Sequence, residues 1–220
     1  MTKVARAFSV LLHPLFLTSY MLLLMISTNP YLFGFTTPLS KGLVLISVIT
    51  ISMMFPLLAI VLMKMLGFIE KLEMEDKKER IGPLIASGLF YMWLYINIRK
   101  NDFIPDVFSA FVLGTTMAMF VALIITNFSK ISLHTIGAGG FLMAILLVFF
   151  HLSSGNLNLV FNVGDTNITI SERLIIMITV LLAGVIGSSR LKLGAHQPDE
   201  IFGGYIVGIL CQIIAFRYFL

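Results

Sequence analysis

The chain has 220 residues, of which 58% are hydrophobic and only 12% charged, and its mean hydropathy is +1.00; a soluble domain carries about 25% charge, so that class is excluded. The net charge of +4 suits a surface beside anionic lipid headgroups, and without a basic stripe interleaved with aromatics it is no sign of nucleic-acid binding. One cysteine, Cys211, lies inside the last apolar run, which rules out an intrachain disulfide and argues against a cysteine-based metal site.

A spanning helix needs ~20 largely apolar residues. Seven stretches meet or approach that length, at residues 7–27, 42–63, 84–98, 107–126, 133–152, 174–188 and 201–220, the third and sixth being the shortest. The first follows Lys3 and Arg6 but is longer than a signal-peptide core and has no convincing small-residue cleavage site after it, so it reads as a retained anchor. None of the seven alternates with period two, which favours helices over a transmembrane barrel. The expected fold is an all-α integral membrane protein, a polytopic bundle of six to seven transmembrane helices in one domain over residues 1–220. The polar stretch 153–173, with Asn156, Asn158, Asn162, Asp165 and Asn167, reads as a solvated connection.

Seven crossings place the N-terminus and residues 64–83, 127–132 and 189–200 on one side, the side of the three most polar segments. Residues 28–41, 99–106, 153–173 and the C-terminus fall on the other. Ten Lys and Arg lie on the first side (Lys3, Arg6, Lys64, Lys71, Lys77, Lys78, Arg80, Lys130, Arg190, Lys192) and five on the second (Lys41, Arg99, Lys100, Arg173, Arg217). Taken literally, the first side is cytoplasmic. Six of the ten are candidate site residues, and without them the balance is four against five.

The polar segments on the first side read as parts of one site. In residues 70–84 the cations Lys77, Lys78 and Arg80 crowd the last turn before a span, at a depth where they could bind a phosphate, although a solvated charged loop would look the same. In residues 130–140, His134 heads a helix whose free backbone N–H groups favour an anion; Ser132 adds a hydroxyl, and Gly137, Gly139 and Gly140 admit a close neighbour. In residues 189–200, Pro198 in the first helical turn puts His196 and Glu200 on one face. That carboxylate, or Asp199 in its place, can hold one imidazole nitrogen and leave the other free to attack. Ser189 and Arg190, returned by a bend at Gly194, could bind phosphoryl oxygens.

These residues resemble the three-part signature of the type 2 phosphatidic acid phosphatases, the lipid phosphate phosphatase and haloperoxidase superfamily, in a divergent bacterial-type form. The third motif, SRxxxxxHxxxD, is matched by Ser189, Arg190, His196 and, in place of Asp, Glu200. The second, PSGH, is met in part by Ile131-Ser132-Leu133-His134. The first, KxxxxxxRP, is met loosely: Ile81 and Gly82 intervene between Arg80 and Pro83, and Glu73 stands where the family has Lys, leaving Lys77 or Lys78 for that role. The resemblance covers residues 70–208 and owes little to the first two spans. It implies His196 as a nucleophile forming a phosphohistidine, Glu200 as its orienting partner and His134 as the acid for the leaving oxygen. Arg190, Arg80, Ser132 and a lysine would hold the phosphate, and no cofactor or metal is required.

The resulting expectation is a membrane-embedded lipid phosphatase acting on phosphatidate, a prenyl diphosphate or a lipid-linked carrier, in a bacterial inner (plasma) membrane. Its partners would be the phosphorylated lipid and the membrane lipids, not nucleic acid. The competing reading is a noncatalytic lipid-phosphate-binding relative or a transporter, against which stands the lack of an internal repeat. Outside the motifs, His13 reads as a helix-start residue that could also line an entrance, and His151 as interfacial on the far side. Gly204 and Gly208 form a small-xxx-small pair for tight contact, within the bundle or in a homodimer.

Overall fold

The computed structural model describes residues 2–70, 74, 76–152, 158–163 and 166–219. They form helices α1 (Thr2–Leu11), α2 (Pro14–Thr28), α3 (Pro38–Ile49), α4 (Phe55–Met65), α5 (Ile81–Arg99), α6 (Asp106–Phe128), α7 (Leu133–Leu152), α8 (Glu172–Lys192) and α9 (Pro198–Phe219). Strands β1 (Asn158–Val163) and β2 (Thr166–Ser171) lie between α7 and α8. Six helical segments are long and apolar enough to cross a bilayer, or seven with the bent pair formed by α1 and α2. The protein is a polytopic helical membrane bundle.

Three of the spans differ from expectation, each for a local reason. The first is broken: α1 and α2 meet at 57°. Pro14 occupies the first turn of α2, and the residue before a proline is driven out of the helical region. His13 is accordingly extended, at φ −64° and ψ 138°, and its Nδ1 accepts the Leu15 N–H as an N-cap. The third span is longer than its apolar stretch, because a 3-10 turn at Lys78–Arg80 leads straight into α5. The sixth likewise runs to Lys192, so Ser189 and Arg190 sit inside α8 and not in a loop.

The second span is one helical segment, Pro38–Met65, opened by a Thr37 and Ser40 capping box. It contains a π-helical stretch, Thr50–Met54, where Pro56 removes a backbone donor and the wider turn absorbs the loss.

The connection after α7 is corrected from a plain solvated loop to a hairpin, with β1 and β2 antiparallel from Asn158 opposite Ser171 to Val163 opposite Thr166. The second strand, TNITIS, alternates polar and apolar residues from Asn167 on, and the first, NLVFNV, is a short run of strand-forming apolar residues between asparagines. Asn156 and Asp165 lie outside the described residues.

Helix α9 lies against α7 along a glycine seam. A Cβ on Gly208 would meet the Ile136 carbonyl oxygen and the Gly140 nitrogen, and one on Gly139 would approach the Tyr205 carbonyl oxygen to 2.7 Å. Only glycine lets the two backbones approach this closely. Gly204 and Gly208 are therefore engaged within the chain.

Packing is unequal along the bundle. Met21, Leu22, Leu94, Phe108, Ile145 and Phe216 belong to a large buried cluster in one half. A second, smaller cluster joins Leu84, Ile131 and Ile136 to Ala118 and Ala122. Beside them a cavity remains.

Candidate active site

The sequence HQPDE builds the first part of the site by the ordinary rules of a helix start. Pro198 opens α9, which makes Glu200 its third residue, the position from which a carboxylate reaches back over the helix end. One oxygen of Glu200, Oε2, accepts from His196 Nδ1 at 2.5 Å and lies 3.4 Å from the Gln197 amide nitrogen. Asp199 is exposed and takes no part. The chain reaches this point through Gly194, whose φ of +64° turns it sharply away from the end of α8.

His196 is buried, its side chain 2% exposed. Burial pushes its imidazole well below the usual histidine value, and the positive charges of Arg80 and Arg190 push the same way. The Glu200 hydrogen bond opposes them without cancelling them. A neutral ring facing a carboxylate carries its hydrogen on Nδ1, which leaves the Nε2 lone pair available.

Two guanidinium groups complete the charged mouth. Arg80, 6% exposed, is anchored by donating from Nε to the Met74 carbonyl at 2.9 Å and from Nη1 to the Ile131 carbonyl at 3.1 Å. Arg190 donates from Nη1 to Ser9 Oγ at 2.9 Å, and its Nε is buried with no partner among the described residues. Neither arginine forms an ion pair among the described residues. His134, at the head of α7, places Nε2 at 3.0 Å from the Ser9 carbonyl oxygen, and the His13 ring meets it edge-on at 5.0 Å. The turn before α7 is tied to α9 by the Ser132 N–H, which donates to the Glu200 carbonyl at 3.3 Å.

His13, Arg80, His134, Arg190 and His196 all line one cavity of about 160 Å3, and no carboxylate is among its lining residues. Buried cations without anionic partners are costly in an empty site and favour an anionic ligand. Below this mouth the wall turns apolar through Leu84, Ala118, Met119, Ile136 and Phe141. The cavity can therefore take a charged head and a hydrocarbon body in one molecule.

The other sequence-predicted residues stand apart from the cavity. Ser132 is fully buried, with no hydrogen-bond partner for its Oγ among the described residues. Ser189 is buried in α8 and is not a lining residue. Lys77 donates from Nζ to the Asn127 and Phe128 carbonyls, both at 3.3 Å, closing the last turn of α6, and Lys78 is exposed. Glu73 lies outside the described residues. His151 is exposed at the opposite end of α7.

Two contributors come from the first two helices, to which the motif reading gave little part. His13 carries a sequence signal, the His-Pro start of a helix, and both caps α2 and lines the cavity. Ser9 belongs to no motif, and only tertiary packing brings it here.

Fold and site together define a membrane-embedded protein with a cationic, histidine-bearing pocket. Residues 125–220, a little under half of the chain, match the family model described as PAP2 superfamily. The matched residues run from the end of α6 through α9 and include His134, Arg190, His196 and Glu200. Members of that superfamily are generally phosphatases acting on phosphate esters. Comparison with curated proteins and with solved structures finds no match.

Proposed function

We propose that the cavity is the active centre of a lipid phosphatase that works through a phosphohistidine. The observation that carries this reading is the His196 and Glu200 pair at the mouth of a cavity lined by Arg80 and Arg190 and apolar below. The phosphate of a lipid monoester or diphosphate enters between the arginines while its chain lies along the apolar wall. Nε2 of His196 attacks phosphorus, the bond to the leaving oxygen breaks, and His134 supplies the proton that oxygen needs. Water then attacks the phosphohistidine and releases phosphate, with His134 taking the water's proton.

Charge spreads over the non-bridging oxygens as the phosphoryl group transfers, and Arg80 and Arg190 lie where they can offset it. Lys77 and Lys78, set outside the cavity lining, contribute only long-range positive potential, and Ser189 flanks Arg190 in α8. No step in this scheme calls for a metal.

The test is phosphate release by detergent-purified protein from a panel of phosphatidate, prenyl diphosphate and lipid-linked carrier phosphates, with and without chelator. Release that survives the chelator and is lost in both His196→Ala and His134→Ala is the expected result. No release from any substrate would overturn the reading and leave a lipid-phosphate-binding relative.

A further inference from the structure

Helix α1 lies outside the residues that match the family model, yet it reaches the charged mouth of the cavity. Ala5 and Ser9, four residues apart, are its buried positions against α8, while Lys3, Arg6 and Val10 are exposed. The bend at His13 and Pro14 is what turns α1 toward α8 instead of continuing the line of α2.

Ser9 makes three contacts there. Its hydroxyl accepts from Arg190 Nη1 at 2.9 Å and sits 3.2 Å from His134 Nε2, and its carbonyl oxygen is 3.0 Å from that same nitrogen. A carbonyl can only accept, so His134 Nε2 carries a hydrogen. Among the described residues Ser9 is the one hydrogen-bond partner of the Arg190 guanidinium, whose Nε is buried and unpaired. His134 and Arg190, on different helices, are thus held by a single residue of a third.

We propose that Ser9 is a positioning residue of this centre, resting on the phosphatase reading above. Its hydroxyl aligns the Arg190 guanidinium so that the unpaired Nε face meets the substrate phosphate. Its carbonyl fixes the ring plane and tautomer of His134, as Glu200 does for His196. The proton delivered to the leaving oxygen is then the one that Nδ1 of His134 carries in the imidazolium form, and its loss leaves the neutral ring with hydrogen on Nε2.

The variants Ser9→Ala and Ser9→Thr separate this role from simple packing. Losing the hydroxyl while keeping the backbone should raise KM about tenfold and weaken competitive inhibition by inorganic phosphate by a similar factor, the size of one hydrogen bond to a charged group. Because the carbonyl remains and still holds His134, kcat should fall by less than KM rises, and Ser9→Thr should restore KM. Damage to packing alone would lower kcat through a smaller active fraction and leave KM in place. Unchanged KM and inhibition in Ser9→Ala would overturn the proposal. So would a gain in activity, which would make α1 a plug. If the wild type hydrolyses no substrate, the phosphatase reading falls on its own. Direct binding of inorganic phosphate to wild type and Ser9→Ala then still decides the role of Ser9, with tenfold weaker binding expected and equal binding overturning it.

Discussion

Glu200 holds His196 through the same oxygen that faces the start of α9, so its charge serves both the nucleophile and the helix end. Glu200→Gln keeps the reach but presents a neutral amide, and kcat should fall about 100-fold or more in phosphate-release assays while the helix persists. The depressed His196 value sets the pH behaviour. Hydrolysis should hold steady as pH falls through the ordinary histidine range near 6.5 and decline only below it, where the nucleophile takes up a proton. Arg190→Gln removes a charge that pushes this value down, so the acid limb of whatever activity remains should move to higher pH. Glu200→Gln removes a contribution that pushes it up, and its limb should move lower. The linkage has the same sign for stability. An unfolded histidine protonates near its ordinary value and the buried one below it, so His196 favours the fold above that value and its contribution is lost as pH falls. The pairing with Glu200 was legible because Pro198 and a four-residue spacing are local helix-start signals. Ser9 was not, because its partners are brought to it by packing alone.

At the scale of elements, the site depends on how closely α7 and α9 approach. Gly208→Val would drive a side chain into the Ile136 carbonyl and the Gly140 nitrogen, with no flexible group to give way. It should cost roughly 1–3 kcal/mol, seen as a lower Tm in detergent, and should weaken hydrolysis by shifting His134 relative to His196. Gly203, on the same helix but with nothing within 4 Å of an added Cβ, gives the control: Gly203→Ala should leave Tm unchanged or slightly raised. Hydropathy alone located the spans, since lipid demands long apolar helices. It was poorer at their ends, because residues such as Arg80 and Arg190 are polar yet helical and buried at a cavity. Alternation in TNITIS pointed to a strand, but NLVFNV does not alternate and its asparagines also fit a loop, so pairing decided the matter.

For the whole molecule, a cluster of large buried side chains and the charged cavity occupy different parts of the bundle. The cluster carries Phe108, Met21 and Leu22, each with essentially no exposure, and borders a groove between α3 and α5 that bears no charged side chain. The site cavity presents its cations to whatever enters, so a bound phosphorylated lipid should raise Tm, by an amount that grows with the logarithm of its concentration. The bend between α1 and α2 gives the molecule a direction that can be read from outside. Because α1 folds onto the site end of α8 while α9 starts at the site and runs away from it, Lys3 and Arg217 should lie at opposite faces of the bilayer. The native cysteine, Cys211, is buried, so cysteines placed at Lys3 and at Arg217 should dominate labelling by a membrane-impermeant maleimide. In intact cells one should react and the other should not. The reactive one then names the compartment into which phosphate is released.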